Sequence, residues 1–97
     1  MHFEFEAEIW RWQARNDDGW LFVTVPEELS ADIREVPRMP RGFGSVRVRV
    51  GIGGTEWMTS IFPSGDTYAL PLKKAVRVAE ELGLGDVCTV RLETVDI

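Results

Sequence analysis

The chain is poor in the residues that carry most catalytic and metal chemistry. Its 97 residues hold one cysteine, Cys88, one histidine, His2, and one tyrosine, Tyr68. A single thiol excludes an intrachain disulfide and makes a reducing cytoplasm the expected compartment. No Cys/His metal set can be assembled, so no metal or other cofactor is expected. A Ser-His-Asp triad would need its imidazole from residue 2 of the chain, a poor anchor for the geometry that chemistry demands. No apolar run approaches the roughly 18 residues of a membrane span. The opening stretch, MHFEFEAEIW, carries three glutamates and no basic cluster, unlike a signal or transit peptide.

What is present describes a small globular domain. Apolar residues make up 44% and charged residues 28%, which is too apolar for disorder and the right size for one domain over 1–97. Phe3, Phe5, Ala7 and Ile9 alternate with His2, Glu4, Glu6 and Glu8, the period of a half-buried strand. Trp10 and Trp12 then fall on the glutamate parity, so either a bulge shifts the register or the outer face becomes covered there. A turn at 16–19 leads into a second strand over 20–25. Pro26, Glu27 and Glu28 open a short helix that Pro37 stops. After an irregular loop, Ser45 to Val50 alternates with Arg47 and Arg49 outward. Gly51-Ile52-Gly53-Gly54 is a hairpin turn, since it neither leads into a helix nor ends in GKS/T like a phosphate loop. Strands over 55–62 and 67–70 follow, then a helix over about 71–82 with Gly83 suited to its C-cap, and a last strand carrying Cys88, Val90 and Leu92 on one parity.

Both halves, about 1–50 and 51–97, follow one order: hairpin, proline, short helix, glycine turn, strand. Pro26 and Pro71 stand 45 residues apart, as do Trp12 and Trp57. A ββαβ half cannot bury its own apolar face, so two halves must interlock. The run Leu70-Pro71-Leu72-Lys73-Lys74-Ala75-Val76-Arg77, followed by Leu82-Gly83-Leu84-Gly85-Asp86-Val87, resembles the swapped-hairpin motif of AbrB, MazE and SpoVT proteins, which dimerise into a DNA-binding double-split barrel. A fuller resemblance covers nearly the whole chain. It takes in the aromatic first strand, Trp20 to Pro26, Trp57-Met58-Thr59-Ser60 with Pro63 and Gly65, Tyr68-Ala69-Leu70-Pro71 and Gly85-Asp86. These segments are similar to the domain-of-unknown-function family 1905, small bacterial domains. That resemblance implies a mainly β fold with two short helices: a six-stranded double-split β-barrel built from two pseudo-twofold-related ββαβ halves. It implies no reaction.

Charge directs the search for a site. The net charge is −5, but residues 34–49 carry five arginines (Arg34, Arg38, Arg41, Arg47, Arg49) against Glu35 alone, so that window is +4 and the remainder −9. Arg38, Arg41, Arg47 and Arg49 make one candidate ligand-binding cluster for an anion or an acidic surface. Lys73, Lys74 and Arg77 at the second helix make another, with Thr59 and Ser60 as hydroxyl donors and Trp57 as a stacking ring. Each has an ordinary alternative: solvated charge, or an indole in the core. Glu4, Glu6 and Glu8 read as a solvated strand face, and Cys88 as an inert core thiol. The expected function is a non-enzymatic module that binds an anionic ligand or a protein partner. The alternatives are a DNA-binding regulator, disfavoured by net charge, and a small-substrate enzyme with a barrel-end cleft.

Overall fold

The computed structural model describes residues 1–11, 20–35 and 44–95. Among them are seven strands and two helices: β1 (His2–Glu8), β2 (Trp10–Arg11), β3 (Leu21–Val25), α1 (Glu27–Glu35), β4 (Val46–Ile52), β5 (Thr55–Ser64), β6 (Thr67–Leu72), α2 (Lys74–Ala79) and β7 (Val87–Thr94). Strands form where β-branched and aromatic residues alternate with polar ones, because a pleated chain then buries one face and wets the other. On β4 this pattern buries Val46, Val48 and Val50 and exposes Arg47 and Arg49. On β7 it buries Cys88, Val90 and Leu92.

All pairings are antiparallel, in the order β1-β7-β4-β5-β6-β3-β2. The two ends of this order, β1 and β2, are consecutive in the chain and separated only by Ile9. The sheet therefore curls until its first and last strands are one bent segment. Ile9 is fully buried at the bend; its N–H donates to the Asp86 carbonyl at 2.8 Å, and its own carbonyl accepts from Gly85 N–H at 2.9 Å. Inside the curl lie Val23 and Val25, Val48 and Val50, Ile61, Leu70, Val90 and Leu92. Each such side chain contributes about 1.5–3 kcal/mol by leaving water. α1 closes on β6 through Ser30 and Ile33, both fully buried.

Several sequence expectations are refined. Seven strands replace six because the bend at Ile9 divides the first one. The parity does not slip there: Ile9 stays inward and Trp10 stays outward, so the outer face is covered rather than the register shifted. Pro71 does not end its strand. It pairs with Phe22 inside β6, beyond the point where the β5–β6 ladder stops at Ala69, and a proline is tolerated where one strand edge is free. The second helix is consequently shorter than 71–82. Pro26 leads directly into α1 while Pro71 lies within a strand, so the two prolines occupy different places despite their spacing. Trp12, its companion in that spacing, the turn at 16–19 and Pro37 lie outside the described residues.

Candidate functional site

The outer face of β1, β7, β4 and β5 carries facing rows of opposite charge. Arg47 faces Ser60 across β5, and Arg49 faces Met58. On the other side Arg49 faces Glu93 and Gly51 faces Arg91. β1 completes the rows with His2 opposite Glu93 and Glu4 opposite Arg91. Arg49 Nη1 lies 3.4 Å from Glu93 Oε1, and His2 Nε2 lies 3.3 Å from Glu93 Oε2. Arg91 lies across Gly51 and its Nη2 donates to the Gly53 carbonyl at 2.9 Å. Only glycine permits this, since a Cβ at residue 51 would stand 2.5 Å from Arg91 Nη2.

A groove of about 500 Å³ runs over these rows, lined by Glu4, Arg49, Gly51, Glu56, Arg91 and Glu93 among others. Three carboxylates and two guanidiniums make it nearly self-neutral. Cross-strand pairs of opposite sign contribute about 0.2–1 kcal/mol each, and at this exposure they lie toward the low end. Arg47 is different. It is exposed, stands beside the groove, and its side chain makes no ion pair or hydrogen bond with any described residue.

The other sequence candidates separate. Arg34 is engaged in the fold: its Nη2 donates to the Asp66 carbonyl at 2.7 Å and its guanidinium stands 6.0 Å over the Tyr68 ring. Arg38 and Arg41 lie outside the described residues. Thr59 pairs with Val48 on the inward parity, and Ser60 pairs with Arg47 on the outward one, so their hydroxyls serve opposite faces. Trp57, opposite Val50, is half-buried against the core, with its indole N–H buried and unpartnered. Lys73 and Lys74 are exposed at the start of α2, whose N-cap makes no side-chain hydrogen bond. Arg77 is half-buried and its Nε donates to the Leu72 carbonyl at 3.4 Å. The register thus joins Ser60 to the arginine face of β4.

Glu4, Glu6 and Glu8 are exposed, as a solvated strand face requires. Cys88 is 6% exposed, and burial, followed by the charge of Asp86, pushes its thiol above the ordinary range. A thiol held protonated is a poor nucleophile, in keeping with an inert core role. Gly53 and Gly54 form the tight turn between β4 and β5, with Gly53 at φ 58°, and no helix follows.

Sequence reasoning missed two features. Arg91 and Glu93 alternate visibly with Val90 and Leu92, but nothing local says that β7 lies beside β4. The second is an aromatic ladder on the outer face of β2 and β3. Trp10 stacks on Phe22 at 5.0 Å between centroids and 25° between planes, and Trp20 stacks on Phe22 at 6.3 Å and 17°. Trp10 Nε1 donates to Thr24 Oγ1 at 2.9 Å.

The architecture defines a class: small, mainly β, barrel-like domains made of one curled antiparallel sheet with two short helices. Within that class the chain belongs to the family described as domain of unknown function DUF1905, whose model matches residues 5–92. No curated protein matches the chain. Among the described residues no helix is long and apolar enough to cross a membrane, and no group of three or more His, Cys, Asp or Glu is placed to hold a metal ion.

Proposed function

We propose that this domain is a non-enzymatic binding module that takes an acidic protein segment on the outer face of β4, at Arg47 and Arg49. The observation that carries this reading is Arg47: an exposed guanidinium with no partner among the described residues, opposite Ser60 and on the same strand face as Arg49. Two arginines two residues apart on a strand stand about 6.5–7 Å apart, the spacing of alternate side chains in an extended peptide. A guanidinium receives a carboxylate through two parallel hydrogen bonds, and Ser60 supplies a neighbouring hydroxyl. Glu93 holds Arg49 only loosely, so the exchange of one carboxylate for another costs little.

The test is a titration with hexa-aspartate, and separately with inorganic phosphate, followed through the amide resonances of β4 and β5. Hexa-aspartate is expected to shift Arg47, Arg49 and Ser60, more weakly as salt rises. Arg47→Glu combined with Arg49→Glu is expected to weaken binding about tenfold. An unmoved β4, or equal affinity in the double variant, overturns the reading. An effect confined to Arg38→Ala/Arg41→Ala would move the site to residues 38–41 and equally overturn it. Duplex DNA is disfavoured by the net charge of −5 and by the carboxylates interleaved with the arginines; retardation in a low-salt gel shift would count for it.

We also read the fold as a double-split barrel of two related ββαβ halves. The pairing scheme supports this. With β1 and β2 taken as one bent strand, that strand pairs with β3 and β7, while β5 pairs with β6 and β4; β3 pairs with β6, and β4 with β7. Exchanging the halves returns the same scheme.

A further inference from the structure

We propose that the outer face of β1 and β2 is a docking surface for an arginine-bearing basic segment of a partner protein, which stacks a guanidinium on Trp20 and sets neighbouring cations on Glu8 and Glu6. This surface is separate from the β4 arginines and does not depend on them.

The proposal starts from an unbroken parity. Glu6, Glu8 and Trp10 all point outward along one bent segment, because Ile9 turns the chain without shifting its register. The acidic row therefore runs directly into the aromatic ladder, over about 13 Å from Glu6 to Trp10. The cross-strand neighbours of Glu6 and Glu8 are Thr89 and Val87, neither of them cationic, whereas Glu4 faces Arg91. Among the described residues neither Glu6 nor Glu8 makes an ion pair.

Those carboxylates alone would be an ordinary solvated face. The ladder changes that. Phe22 stacks against both indoles and is only 8% exposed, although it points outward. Among the described residues the stack ends on Trp20, which is 56% exposed and so presents much of its indole to solvent. A planar group that extends the stack is a guanidinium, and other cations of the same segment reach the carboxylates, which lie past Trp10 on the side of Phe22 away from Trp20. Arginine stacks on indole more favourably than the compact, strongly hydrated ammonium of lysine. The −9 charge outside the arginine window draws cationic partners toward the molecule at long range.

The experiment compares hexa-arginine with hexalysine by titration into the whole chain, read from the indole N–H resonances. Hexa-arginine is expected to bind about threefold more tightly, the factor a surface cation–π contact supplies, and to shift the Trp20 indole. Trp20→Ala is expected to erase the preference, and Trp20→Phe to keep part of it. Glu6→Gln with Glu8→Gln is expected to weaken both peptides together. These side chains are exposed, and a thermal melt on each variant checks that the fold is intact. Should Trp20→Ala fail to fold, the Trp20 shift in the parent chain and the Trp20→Phe affinities decide. Equal affinity for the two peptides, a Trp20 indole that does not move, or no binding at all overturns the proposal.

Discussion

At the scale of single residues, Ser30 is the clearest case of chemistry hidden from the sequence. A serine in a short acidic helix looks like a solvent-facing position. In the structure it is fully buried: its Oγ donates to the Val25 carbonyl at 3.1 Å and accepts from Tyr68 N–H at 3.1 Å. Val25 and Tyr68 are themselves partners across β3 and β6, so the hydroxyl joins the ends of two strands to α1. Ser30→Ala leaves a buried N–H without its acceptor and is expected to cost about 1–3 kcal/mol. Urea unfolding measures this directly, and a loss below about 0.5 kcal/mol would show that water replaces the hydroxyl. Cys88, by contrast, was legible: its inward parity alone predicts a buried thiol, and no carboxylate beyond Asp86 modifies that reading.

At the scale of elements, strands were read well and the second helix less so. Alternation over 46–50 and 87–92 is a local signal, and the strands appear where it occurs. The helix expectation failed at both ends for different reasons. Its start was displaced because β6 continues through Pro71 and Leu72 to pair with β3, a non-local gain that propensity does not contain. Its end was displaced because the helix is capped at Glu80 and the backbone enters the left-handed region at Glu81, φ 54°. Leu82 N–H donates to the Arg77 carbonyl at 2.8 Å and Glu81 N–H to the Val78 carbonyl at 3.3 Å, the paired bonds of a Schellman turn. Glycine is the residue suited to that site, and here it comes two positions later. Glu81→Gly relieves the conformational cost and is expected to stabilise the domain by about 0.5–1 kcal/mol. Glu81→Ala keeps the strain and serves as control; equal melting temperatures for the two would refute the argument. Glu80 also accepts a hydrogen bond from Thr55 Oγ1 at 2.6 Å, which ties α2 to the β4–β5 turn.

At the scale of the whole molecule, the exterior is divided: charged rows over β1, β7, β4 and β5, and rings over β2 and β3. The start of β1 and the end of β7 lie together, since Thr94 N–H donates to the Met1 carbonyl at 3.0 Å. A circular permutant opened between Gly53 and Gly54, with a short linker from residue 97 to residue 1, therefore keeps every strand pairing. It is expected to unfold in one cooperative transition at a stability within about 2 kcal/mol of the parent, as tolerated permutations at exposed turns do. Independent unfolding of residues 54–97 and 1–53 would contradict an interlocked core. By itself the sequence determined which residues face inward, where most strands run, that acids dominate outside one arginine window, and that a single thiol has no disulfide partner. These are local properties, set by two-residue periodicity and by composition. Tertiary structure alone decided that β7 sits beside β4, so that Glu93 engages Arg49 and leaves Arg47 free of a described partner, and that Trp10 and Trp20 close on Phe22. Strand adjacency depends on contacts between residues far apart in the chain, and no local pattern carries that information.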